Sequence, residues 1–161
     1  MIPHYELAQK VVQAAKAKGL VIATAESCTG GMISASITDI AGSSSVFDRG
    51  FVTYSYPSKT DLLDVTTSVL TEHGAVSEPV ARQMAQGALT NSRADIAVAV
   101  TGVAGPGADG SKPEGLVWFG MASMGGVNSV AHNFGPIGRD NVRLATVEIA
   151  LQLLLTEVER L

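Results

Sequence analysis

The stretch LVIATAESCTGGMISASI, residues 20–37, decides the fold. Its first part, LVIAT (20–24), is an unbroken apolar run with β-branched members, the pattern of a strand covered on both faces. It runs directly into AESCTGG (25–31), which is polar and glycine-rich. Small and apolar residues over 31–40 then predict a helix, which the serine-rich turn AGSSS (41–45) ends. A buried strand, a tight loop and a helix in succession form the repeating unit of a layered α/β sheet.

The same alternation continues on both sides of this stretch. Upstream, Leu7, Val11, Val12 and Ala15 make a helical stripe over 3–18, closed by Gly19. Downstream, VFDRGFVTYS (46–55) reads as a second strand, with Ser58 expected to cap a short helix through Leu63 and a further short helix over 68–73. Ser77, Glu78 and Pro79 mark a helix start, and the helix runs to about Asn91. DIAVAVT (95–101) is a central strand, and TGVAGPGADGSKPEG (101–115) is a long loop without periodicity. LVWFGMAS (116–123) and VNSVAHNF (127–134) read as a hairpin joined at Gly125 and Gly126, and a final helix runs from about Gly138 to Leu161. The expected architecture is a three-layer α/β/α sandwich with a mixed, mostly parallel sheet in one domain, residues 1–161. Ligands gather at the carboxyl ends of strands in such folds, so the loops 26–31, 41–45 and 101–115 are expected to converge.

Composition narrows the function classes. Of 161 residues, 46% are hydrophobic and 16% charged, and the net charge of −4 lacks the basic footprint of a dedicated nucleic-acid binder. The single cysteine, Cys28, permits no intrachain disulfide, which fits a reducing cytoplasm. The N-terminus lacks the charged start and apolar block of a signal peptide, and no apolar run reaches the length of a membrane span. The apolar surplus predicts a homo-oligomer. His4, His73 and His132 are scattered without metal-binding spacing, which predicts metal independence.

Chemistry concentrates in the glycine clusters. AESCTGG places Ser27, Cys28 and Thr29 between a strand and a helix, where free amides and the helix dipole favour an oxyanion; a plain helix cap and tight turn would use the same residues. Cys28 is either a thiol nucleophile or a small core residue. In TYSYPSK (53–59), Tyr54 and Lys59 are separated by a turn at Pro57, so both could reach back toward the serine loop AGSSS (41–45). Lys59 can act as a base if burial lowers its pKa, and is otherwise a solvated lysine near a helix start. The 101–107 loop exposes amides but lacks the G-K-[ST] ending of a P-loop, so nucleotide triphosphate hydrolysis is disfavoured. Arg139, at the start of the last helix, could pair with a phosphate monoester or with its neighbour Asp140.

Together, AESCTGG (25–31), DIAGSS (39–44), GFVTYS (50–55), Lys59, HGAVSEPVA (73–81) and TGVAGPG (101–107) resemble the CinA C-terminal domain family of competence/damage-inducible proteins, in order and over nearly the whole chain. The resemblance implies hydrolysis of the carboxamide of nicotinamide mononucleotide to nicotinate mononucleotide and ammonia, without metal or cofactor, by a Ser/Lys mechanism. A noncatalytic nucleotide-binding or partner-docking module is the competing reading. By motif, Ser44 is the favoured nucleophile and Ser27 the fallback, Lys59 is the general base, and Tyr54 orients the pair or relays the proton. Glu26, Thr29, Gly30, Gly31, Thr101, Gly102 and Gly105 would supply amides and hydroxyls to the nucleotide, and Arg139 would meet its phosphate. The implied partner is therefore a small-molecule nucleotide, not nucleic acid or a membrane.

Overall fold

The structure, a computed structural model, describes residues 3–161. Strands β1 (Ile22–Glu26), β2 (Phe47–Val52), β3 (Ile96–Gly102), β4 (Leu116–Ser123) and β5 (Gly126–Asn133) form one sheet in the order β2-β1-β3-β4-β5. β1 is parallel to both β2 and β3, whereas β4 is antiparallel to β3 and to β5. All the strands except β4 thus point the same way, and the sheet is mixed and mostly parallel, as the alternation of elements predicts. Helices α1 (Tyr5–Lys18), α2 (Met32–Thr38) and α6 (Arg139–Arg160) cover one face, and α3 (Tyr56–Leu63), α4 (Thr67–His73) and α5 (Glu78–Thr90) the other. No helix among the described residues is long and apolar enough to cross a membrane.

The alternation within DIAVAVT explains why the two faces differ. Side chains of a strand point alternately to opposite faces, so Ile96, Val98 and Val100 pack with Phe119, Leu151 and Leu154 under α1 and α6. Ala97 and Ala99 face the other way and join Ala23, Ala25 and Ala122 beneath α5. That alanine-rich face lets the α5 backbone come close. A Cβ on Gly120 would lie 2.2 Å from the Ala81 carbonyl oxygen, and one on Gly87 would lie 1.9 Å from the Leu63 carbonyl oxygen, so glycine is required at both helix contacts.

Element boundaries depart from expectation in four informative places. β1 begins two residues later than LVIAT, and its five residues are all buried. The second strand ends at Val52 because Thr53–Ser55 turn into α3. The cap of that helix is Ser55 rather than Ser58: the Ser55 hydroxyl accepts from the Ser58 amide at 3.3 Å, with proline in the first turn. The hairpin turn is formed by Met124 and Gly125, since Ser123 already pairs with Gly126.

Register places the functional end of the sheet. Glu26 is opposite Val52 on one side and Val100 on the other, so Ser27 and Thr53 leave β1 and β2 at the level of Thr101, the next-to-last residue of β3. The Ser27 amide donates to the Val100 carbonyl at 3.1 Å and the Thr53 amide to the Glu26 carbonyl at 2.9 Å, which extends the ladder by one residue.

Candidate active site

At this carboxyl end, α3 delivers Lys59 into the protein. The lysine is 0% exposed, and its Nζ lies 3.0 Å from Ser27 Oγ, 2.5 Å from the Thr53 carbonyl oxygen and 3.5 Å from the Tyr54 carbonyl oxygen. Burial pulls its pKa down from 10.5 to about 8. Lys59 also sits in the first turn of α3, where the positive end of the helix opposes a second positive charge. A neutral amine has two donors and one lone pair, and the surroundings match that inventory: two carbonyls to receive protons and one hydroxyl able to give one.

Ser27 sits on a turn that is bound from two sides. Glu26, fully buried, accepts from the Thr29 hydroxyl at 2.6 Å, the Ile33 amide at 2.8 Å, and the amide and hydroxyl of Ser34 at 3.0 and 2.9 Å. Its carboxylate thereby satisfies the first amides of α2, which have no partner within the helix. From the other side, Arg143 of α6 donates through Nε to the Cys28 carbonyl at 3.1 Å and through Nη2 to the Thr29 carbonyl at 3.3 Å. Gly30 and Gly31 both adopt positive φ, +59° and +107°, which closes the turn. The Gly30 amide donates to the Ser27 carbonyl at 3.1 Å, and among the described residues the amides of Cys28 and Thr29 have no acceptor. Burial pushes the Cys28 thiol up to about 11, so it is a core residue and not a thiolate nucleophile at neutral pH.

A cleft of about 300 Å³ opens beside Ser27, bounded by Cys28, Tyr54, Tyr56, Arg139 and the 102–109 loop. Arg139 Nη1 donates to the Gly105 carbonyl at 2.8 Å, and Nη2 donates to the Tyr54 hydroxyl at 3.1 Å, so the start of α6, the end of β2 and the glycine loop meet at the cleft mouth. Asp140 does not take this guanidinium. Thr101 is buried and donates to the Ala75 carbonyl at 2.8 Å, which ties the base of the loop to the segment before α5. Gly102 and Gly105 line the cleft, and a Cβ on Gly105 would lie 2.4 Å from Glu114 Oε1, which itself accepts from the Gly107 amide at 2.6 Å.

Several expectations need correction. Ser44 is exposed in a short 3₁₀ turn, Ser43–Ser45, that precedes β2, so it lies at the amino end of the parallel strands. A six-residue strand spans roughly 17 Å, and that length separates Ser44 from the carboxyl end where Lys59 lies. Lys59 reaches Ser27 instead, because the chain passes through all of β2 between the serine loop and the lysine. Only the 26–31 and 101–115 loops therefore converge. Glu26, Thr29, Gly30 and Gly31 do not line the cleft; their side chains and torsions shape the turn behind Ser27. Tyr54 touches Lys59 only through its backbone carbonyl, since its phenol points to Arg139. Thr53 and Arg143 were not singled out in the sequence, and neither carries a motif signal: one acts through its carbonyl and the other lies in a helix whose pattern shows only its apolar face. Among the described residues no three His, Cys, Asp or Glu side chains gather to hold a metal.

Comparison with known proteins gives one consistent result. Residues 4–158 match the family described as the CinA C-terminal domain. The chain is 49% identical over 150 residues to an Escherichia coli K12 protein named nicotinamide-nucleotide amidohydrolase PncC, covering 92% of this chain and 91% of that one. Among solved structures, the competence/damage inducible protein CihA from Agrobacterium tumefaciens is 51% identical with a TM-score of 0.90, over 94% of this chain and 93% of its own. A CinA superfamily protein from Klebsiella pneumoniae is 35% identical with a TM-score of 0.93, over 98% of both chains.

Proposed function

Because this chain belongs to the CinA C-terminal domain family, we propose that it hydrolyses the carboxamide of nicotinamide mononucleotide, yielding nicotinate mononucleotide and ammonia, with Ser27 as nucleophile and Lys59 as base. The observation that carries the mechanism is the buried Lys59 amine 3.0 Å from the Ser27 hydroxyl. The E. coli relative's name supports the substrate.

In this scheme neutral Lys59 takes the Ser27 proton as Oγ attacks the carboxamide carbon. The amide of Cys28, a residue that lines the cleft, has no acceptor among the described residues and receives the developing oxyanion. Lys59, now an ammonium, returns its proton to the departing nitrogen, ammonia leaves, and an ester remains on Ser27. Water then gives a proton to Lys59 and attacks the ester, and Ser27 regains its proton as nicotinate mononucleotide departs. Every proton passes through Lys59, so the scheme uses no metal. The Thr53 carbonyl holds the amine in place through both steps. Arg139, joined to the Tyr54 phenol at the cleft mouth, is suited to the phosphate. The product is a pyridine nucleotide returned toward NAD synthesis, work suited to the reducing cytoplasm.

The test is ammonia release from nicotinamide mononucleotide by the purified protein in the presence of a chelator. The expected result is turnover by the native protein and a loss of at least ~10³-fold in Lys59→Ala, with the nucleotide still bound. No ammonia release by the folded native protein would leave the binding-module reading, and Lys59→Ala turning over at the native rate would overturn Lys59 as the base.

A further inference from the structure

Arg143 stands apart from the rest of the site. It is half-buried, it is joined to no carboxylate among the described residues, and its hydrogen bonds are both to main-chain carbonyls, those of Cys28 and Thr29. A guanidinium partly shielded from water and spent on two carbonyls of one turn is an unusual use of the residue, which is best suited to planar, two-pronged recognition of anions. The carbonyls it selects are informative. Across a trans peptide the C=O and the following N–H point in opposite directions. Fixing the Cys28 carbonyl therefore fixes the Thr29 amide facing away from the guanidinium. Fixing the Thr29 carbonyl does the same for the Gly30 amide, which donates to the Ser27 carbonyl and closes the turn on the nucleophile.

We propose that Arg143 is a positioning residue for the hydrolysis: by holding the Cys28 and Thr29 carbonyls it fixes the turn that presents the Ser27 hydroxyl and the Cys28 amide to the cleft where the oxyanion forms. This rests on the amidase reading above. Arg143 lies four residues after Arg139, on the same side of α6. One helix thus presents one guanidinium to the cleft mouth and a second to the turn behind Ser27. Glu26 accepts from the Thr29 hydroxyl and from the first amides of α2, so the turn is held by a carboxylate on its threonine hydroxyl and on the helix that follows it, and by a guanidinium on its carbonyls.

The experiment is steady-state kinetics on nicotinamide mononucleotide for native protein, Arg143→Lys, Arg143→Gln and Arg143→Ala, with and without millimolar guanidinium chloride. Loss of an oxyanion donor costs about 10²–10³ in turnover. Arg143→Ala and Arg143→Gln are expected to lose about 10²-fold in kcat with KM within threefold, and Arg143→Lys, which keeps one of the two contacts, about 10-fold. Guanidinium should restore part of the kcat of Arg143→Ala and none of the kcat of Lys59→Ala. A rise in KM with kcat retained would overturn the proposal by making Arg143 a substrate ligand, and so would unchanged kinetics in all folded variants. If Arg143→Ala fails to fold, the Lys and Gln variants give the same decision. A native protein inactive on this nucleotide would sink the amidase reading and this role with it, whereas an active native protein with unaffected variants would sink this role alone.

Discussion

Lys59 is the residue on which the chemistry turns, and its environment is costly for a cation. The side chain is 0% exposed, its partners are uncharged, and its pKa is lowered to about 8. Two consequences are measurable. As a base, Lys59 works only when neutral, so kcat/KM should rise about tenfold per pH unit below about 8 and level off above it. As a component of the fold it has the opposite merit. Between about pH 8 and 10.5 the unfolded chain keeps a proton at this lysine that the folded chain has shed, so its contribution makes stability rise with pH across that window. Below about pH 8 the full burial cost applies. Lys59→Met, which keeps an apolar side chain of similar length, should raise Tm at pH 7 by ~2 °C or more, abolish ammonia release, and lose its advantage over the native protein as pH approaches 10.5. Thermal melts at pH 7 and pH 10 check the sign. That Lys59 could be buried was open to a reading of the sequence, because TYSYPSK sets it a turn away from a strand end. The identity of its hydroxyl partner was not, because that depends on strand order.

Among the elements, α2 shows how a conspicuous motif misleads about which atoms touch substrate. A helix of seven residues is too short to hold itself together in water. The Glu26 carboxylate steadies it by accepting from Ile33, Ser34 and Thr29. Glu26→Ala would leave those donors buried without an acceptor, at about 1–3 kcal/mol for each donor left unsatisfied. The expected outcome is a Tm lowered by ~5 °C or more together with a loss of activity, read by thermal melts and ammonia release; an unchanged Tm would contradict the capping role. The glycine-rich string AESCTGG was legible as a strand-to-helix turn, but not that its carboxylate faces inward. Alternation within DIAVAVT made a central strand legible, and the burial of both its faces follows from the same alternation of large and small residues. The cap of α3 shifted from Ser58 to Ser55 because two serines at this spacing satisfy the same pattern, and only the path of the chain out of β2 chooses between them.

At the scale of the whole molecule, topology decides the nucleophile. β1 is flanked on both sides by parallel neighbours, so the carboxyl ends of β1, β2 and β3 lie together, and Ser27, Thr53 and Thr101 stand at one level. The serine loop 43–45 enters β2 from the other end and is carried away from the cleft by the full length of that strand. Sequence proximity suggested Ser44 as the partner of Lys59, since fifteen positions separate them against thirty-two for Ser27. Strand direction reverses that order in space. The layered fold itself was legible because alternating elements leave few ways to bury their apolar faces. The most direct measurement is therefore a comparison of ammonia release from nicotinamide mononucleotide by folded Ser27→Ala and Ser44→Ala. Ser27→Ala should lose at least ~10³-fold in kcat while Ser44→Ala stays within threefold of the native protein. An active Ser27→Ala beside a silent Ser44→Ala would contradict the account.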